Sequence, residues 1–153
     1  MLEYNAEEKL ETYLRTNLPI YEHIGLKIVS ASHGEYRCSI PLQKENSNHF
    51  GTIHTAIQWA SAEVVGGLVF LTAFPPEEKQ FLGMVKEFTI SFKKPATTSV
   101  IAETFFSESE LEAVKEAVHK HGRHDFEISC VLRNTDGEII AEGKGIYAIR
   151  KAI

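Results

Sequence analysis

Residues 50–74, FGTIHTAIQWASAEVVGGLVFLTAF, hold one formal charge, Glu63, in a chain whose charged fraction is 24%. A run of this length and apolarity must be covered on nearly all sides, either by lipid or by the rest of its own fold. Its length approaches the roughly 20 residues of a membrane-spanning helix. Against that reading, Gln58, Ser61 and Glu63 interrupt it, Gly66-Gly67 weakens it and Pro75-Pro76 ends it, and no Lys or Arg cluster marks either flank. The pattern therefore predicts a helix over about 55–73 that is buried inside a fold, with no membrane span. An ionised carboxylate is almost never fully buried without a partner. Glu63 is thus paired, placed at a surface, or chemically useful.

With 153 residues, 43% of them hydrophobic, the chain fits one domain, 1–153, with a single core. Its 16 basic and 21 acidic residues give a net charge of -5, which disfavours nucleic acid and anionic membrane as partners. Cys38 and Cys130 each lie in an alternating, strand-like segment, with no C-x-x-C pair or Cys/His spacing of the kind zinc uses. They read as buried reduced thiols, and no metal is expected. The N-terminal stretch MLEYNAEEKLETYL is acidic and amphipathic, unlike a signal peptide, so a cytoplasmic location is expected.

Asn5, with Glu8 three residues on, predicts a capped helix over about 6–17 whose stripe is Leu10, Tyr13 and Leu14, ending before Pro19. From Leu26 to Leu42 apolar residues alternate around a His33-Gly34 turn, which predicts a hairpin or a long bent strand. After the apolar helix, three or four strands are expected, beginning with Phe88, Ile90 and Phe92 on one face and continuing with Val100–Phe106. Ser109 with Glu112 predicts a capping box for an inserted helix over about 109–120, with Leu111, Val114 and Val118 inward and Gly122 at its end. Asp125–Arg133 and Glu138–Arg150, joined by Asn134-Thr135-Asp136-Gly137, predict an antiparallel closing hairpin. One face of the last strand reads Ile139, Ala141, Gly143, Gly145, Tyr147 and Ile149. Its centre lacks bulk, and the apolar helix is the expected neighbour.

A long apolar helix wrapped by a curved antiparallel sheet is an α+β arrangement, and it is that of the hotdog fold. Within NHFGTIHTAIQWASAE, the residues Asn48, Gly51, His54 and Glu63 resemble the Asn, His-Gly-Gly and Asp/Glu signature of PaaI-like acyl-CoA thioesterases, in the wider 4-hydroxybenzoyl-CoA thioesterase group. FTISFKKPATTSVIAE is similar to the strand pair after the helix in those enzymes, and GRHDFEISCVLRNTDGEIIAEGKGIYAI to their closing hairpin. The resemblance spans roughly residues 20–150. It implies a hydrolase acting on an acyl-CoA, without a cofactor beyond the coenzyme A of its substrate. It also implies a homodimer, or a homotetramer built as a dimer of dimers, with sites at the subunit interface.

Helix geometry constrains the site independently. Nine residues at about 100° and 1.5 Å each put His54 and Glu63 on opposite faces, roughly 13 Å apart. Joint action then needs His54 of one chain and Glu63 of another, in an oligomer with facing helices. Glu63, its pKa raised by apolar surroundings, suits a general base for water or a direct nucleophile on the thioester carbonyl. The N–H of Thr55 at the helix start suits the developing oxyanion, with His54 and Asn48 orienting the carbonyl or the water. Gly51 belongs to the same loop motif. Each residue also has a plainer role: Glu63 as an interface carboxylate, His54 as a helix-entry residue, Asn48 as a turn former.

Two departures separate the chain from the pattern it resembles. His54-Thr55-Ala56 replaces His-Gly-Gly, and Gly67 stands one turn after Glu63, where relatives commonly place Ser or Thr. Trp59, Phe70 and Phe81 are candidates for setting pocket depth. Lys86, Lys93, Lys94 and Arg123 are candidates for holding coenzyme A phosphates. Two further readings stay open: a non-catalytic acyl-thioester-binding hotdog domain, and a 3-hydroxyacyl carrier-protein dehydratase using His49 with Glu63.

Overall fold

The computed structural model describes residues 5–153. Asn5 caps α1 (Ala6–Asn17) by accepting the Glu8 N–H at 2.8 Å, and Leu10 and Leu14 bury its stripe. A short helix absent from the sequence reading follows, α2 (Pro19–His23), started by Pro19 at its first turn. β1 (Lys27–Ser32) and β2 (Glu35–Ile40) form the expected hairpin. His33 and Gly34 both take positive φ, 53° and 78°, as the mirror-image hairpin turns require. A 3-10 turn at Lys44–Asn46 leads into the apolar helix α3 (Thr55–Ala73).

Four strands complete the sheet: β3 (Phe81–Phe92), β4 (Val100–Phe105), β5 (Arg123–Arg133) and β6 (Ile139–Lys151). The six-stranded sheet has order β1-β2-β4-β5-β6-β3, with every pairing antiparallel. It curls around α3, and β1 and β3 are its edges. This is the hotdog fold. α3 is long and apolar enough to cross a membrane by length and composition, yet Ala62, Val65, Leu68 and Val69 are buried against the sheet of its own chain. The closing hairpin pairs as expected, Gly137 taking φ 81° in its turn.

Two expectations are corrected. The helix inserted between β4 and β5, α4 (Glu108–His121), begins one capping box earlier than expected. Ser107, not Ser109, is extended at φ -61° and ψ 157°, and its Oγ accepts the Glu110 N–H at 3.1 Å while Glu110 accepts the Ser107 N–H at 2.8 Å. Gly122 ends the helix in the left-handed conformation, as expected. The second correction concerns the bare centre of β6. A Cβ on Gly145 would lie 2.5 Å from the Phe88 ring, and one on Gly143 would lie 2.8 Å from it, so the space is filled by a side chain of β3 rather than by α3.

Candidate active site

The loop before α3 is built by two asparagines. Asn46 is fully buried and its side-chain amide donates to the carbonyls of Ile24 at 2.8 Å and Pro41 at 2.9 Å, while its backbone carbonyl takes the His54 N–H at 2.8 Å. Asn48 spends its side chain on the loop itself. Its Oδ1 accepts from the N–H groups of Phe50 and Thr52 at 3.0 and 3.1 Å, and its Nδ2 donates to Thr52 Oγ1 at 2.8 Å. Gly51 closes the turn at φ 74°. His49 is exposed and packs against Phe50 with the two rings tilted by 42°.

His54 is the N-cap of α3, and its Nδ1 accepts the Ala56 N–H at 2.9 Å, which places the ring proton on Nε2. The Thr55 N–H is one of the donors that helix geometry leaves without a partner. Beside it lies an open cavity of about 270 Å³ whose walls include Asn48, Thr55, Gln58, Phe92, Lys93 and Lys94. Gln58, only 4% exposed, donates to the Ile53 carbonyl at 2.9 Å, and its Oε1 is buried without a partner among the described residues.

Glu63 is half-buried on the opposite face of α3. Burial pushes its carboxyl above the ordinary range, and a hydrogen bond from the Tyr21 hydroxyl to Oε2 at 3.4 Å acts against that. The Tyr147 hydroxyl donates to the Glu63 backbone carbonyl at 2.5 Å, its ring lying where a Cβ on Gly66 would stand. A small cavity of about 50 Å³ adjoins Glu63, walled by Gly67, Phe70, Gly83, Phe126 and Tyr147. A Cβ on Gly67 would meet nothing within 4 Å. Within one chain, then, the helix start and Glu63 face separate cavities.

A family described as a domain of unknown function, DUF4442, matches residues 7–147. The chain belongs to this family. No curated protein matches it. Solved structures share the fold along nearly the whole length of this DUF4442 chain. A Pseudomonas aeruginosa protein of unknown function, described as a probable thioesterase, is 25% identical with a TM-score of 0.81, over 94% of this chain and 95% of that one. A Chlorobaculum tepidum protein of unknown function is 21% identical with a TM-score of 0.83, over 95% and 94%. A Haemophilus influenzae thioesterase is 14% identical with a TM-score of 0.74, over 97% and 93%.

The remaining candidates of this DUF4442 chain divide by position. Lys93 and Lys94 rim the helix-start cavity, within ion-pair reach of Glu142 and Glu138 respectively. Lys86 contacts Asp125 at 2.9 Å, in the middle of β3. Arg123 is exposed at the start of β5, paired in register with Arg150, which itself pairs with Leu82 of β3. Trp59 packs edge-on against Phe88 at 5.4 Å, Phe70 walls the Glu63 cavity, and Phe81 packs against Phe74 and His119 at the far end of α3. Among the described residues no three His, Cys, Asp or Glu side chains are placed to share a metal. Sequence reading missed Asn46, Gln58 and Tyr21. For Tyr21 the available signal was Pro19, which starts a helix as readily as it ends one.

Proposed function

We propose that the protein is an acyl-CoA thioesterase whose sites are completed by a second copy of the chain. One observation carries this reading: the two cavities lie at opposite ends of the same free sheet edge. The helix-start cavity reaches Phe92 at one end of β3, and the Glu63 cavity reaches Gly83 and Val85 at the other. Among the described residues β3 pairs with β6 on one side only, and its Leu82, Met84 and Phe92 are exposed, which is the kind of edge that recruits another strand. An antiparallel pairing of β3 with itself about its midpoint sets Phe92 of one copy opposite Phe81 of the other. That pairing brings His54 and Thr55 of one copy toward Glu63 of its partner. Lys93 and Lys94 rim the helix-start end of that shared site and supply positive charge suited to coenzyme A phosphates.

In the hydrolysis, the Glu63 carboxylate takes a proton from water as the water oxygen bonds to the thioester carbonyl carbon. The carbonyl oxygen gains charge facing the Thr55 N–H and the positive end of the α3 dipole. The C–S bond then breaks, and the departing thiolate recovers the proton, giving free acid and coenzyme A. With Glu63 as nucleophile, an acyl-carboxylate anhydride forms as the thiolate leaves, and water cleaves it. Neither route draws on a metal or a redox cofactor.

The test is hydrolysis across short, long and aromatic acyl-CoAs by wild type and Glu63→Ala. Turnover that Glu63→Ala lowers by about 10²-fold or more supports the reading. Binding of acyl-CoA without turnover in wild type would replace it with the non-catalytic binding domain.

A further inference from the structure

α2, with its C-cap Ile24, is hydrogen-bonded to both halves of the proposed site. At its C-terminal end, the Ile24 carbonyl takes the Asn46 side-chain N–H at 2.8 Å, and Asn46 in turn holds the His54 N–H. In its middle, Tyr21 turns inward and is buried, with its own N–H on the Leu18 carbonyl at 2.9 Å and its carbonyl taking the Leu26 N–H at 3.0 Å. A buried phenol hydroxyl finds a hydrogen-bond partner. Among the described residues the partner of this one is Glu63 Oε2.

We propose that Tyr21 is a positioning residue for Glu63, its hydroxyl holding Oε2 so that Oε1 is the oxygen presented to the attacking water or the thioester. The inference rests on the reading of Glu63 as the acting carboxylate. A phenol is suited to the task because it donates a hydrogen bond without bringing a charge. A cation in its place would pin the carboxylate as a salt bridge and weaken it as a base.

Within one chain, the surroundings leave Tyr21 as the hydrogen-bonding side chain that acts on the Glu63 proton, and in the proposed dimer His54 of the second copy is the titratable group added to it. Tyr147 from β6 lines the Glu63 cavity, while Cys38 from β2 lies near Tyr21 and Cys130 from β5 near Tyr147, and burial pushes Tyr21, Tyr147 and both thiols up, Cys130 to about 12. All stay neutral through the working range, and β3 contributes only Gly83, Met84 and Val85 at the cavity. Burial disfavours the charged carboxylate and the Tyr21 hydroxyl favours it. Removing the hydroxyl therefore leaves burial unopposed, and Glu63 titrates at higher pH.

Tyr21→Phe keeps the ring and deletes the hydroxyl. The side-chain carboxyl of Glu63 can be followed by carbon NMR in glutamate-labelled protein, with Glu63→Gln assigning the resonance. In Tyr21→Phe the midpoint is expected to move upward by about half a pH unit or more. In the hydrolysis assay the acid limb of kcat/KM should move by the same amount, with kcat falling about tenfold at neutral pH and KM little changed. An unchanged midpoint overturns the inference whatever the activity. A shifted midpoint in a protein that hydrolyses no thioester upholds the Tyr21 contact and removes the hydrolase reading instead.

Discussion

Gly66 and Gly67 are adjacent in the sequence and have opposite tasks. A Cβ on Gly66 would stand 2.1 Å from the Tyr147 ring, whose hydroxyl is anchored on the Glu63 carbonyl, whereas one on Gly67 enters open space beside Glu63. Gly66→Ala is therefore expected to cost about 1–3 kcal/mol by overpacking. Gly67→Ala should gain about 0.5–1 kcal/mol from helix propensity while narrowing the Glu63 cavity, so the proposed acyl-CoA hydrolysis is expected to fall as stability rises. Thermal melts of the two variants check the signs. Glu63 itself should be a stability liability. Its folded pKa is raised above the unfolded value, so its contribution is most favourable below the ordinary carboxylate pKa and is lost as pH rises through the folded one. Glu63→Gln should thus be more stable than wild type at neutral pH, with the gap closing in acid urea melts. The sequence alone exposed this residue, because a single charge in an apolar run stands out. Tyr21 was not legible, because nothing local distinguishes a phenol that meets a carboxylate 42 positions away from one that fills a core.

At the scale of elements, local signals were read well where one chemistry dominated. Asn5, Gly122 and the Asp136-Gly137 step each sit where their cap or turn was expected, and α3 spans the predicted 55–73. The α4 boundary went to the wrong serine because Ser107/Glu110 and Ser109/Glu112 offer the same spacing, and only backbone geometry chooses between them. Ser107→Ala is accordingly expected to cost about 1 kcal/mol and Ser109→Ala close to nothing, as chemical denaturation of both will show. The Phe88 ring over Gly143 and Gly145 was unreadable for another reason. Strand alternation says which residues face inward, not which neighbouring strand supplies the filling, and β3 follows α3 in sequence while pairing with the last strand.

For the whole molecule, the proposed site predicts complementation between inactive copies. His54→Ala and Glu63→Ala, each impaired alone, should recover about a quarter of wild-type sites when mixed and allowed to exchange, since half of the dimers are then mixed and each holds one intact pair. Failure to recover activity under proven exchange would overturn the site shared between two copies. The helical spacing of His54 and Glu63 suggests the proposed sharing in the sequence already, whereas the free edge of β3 on which the proposal rests is visible only in the fold. The order of the elements has a further bearing on how the chain is made. Four of the six strands that cover α3 are synthesised after it, and β6, which joins β5 to β3, comes last. At about 5–20 residues per second, the ribosome presents an apolar helix several seconds before its wrapping is finished. Stalled chains that stop short of Ile139 should be protease-sensitive and bound by holdase chaperones, and chains extended through Lys151 should be released from them.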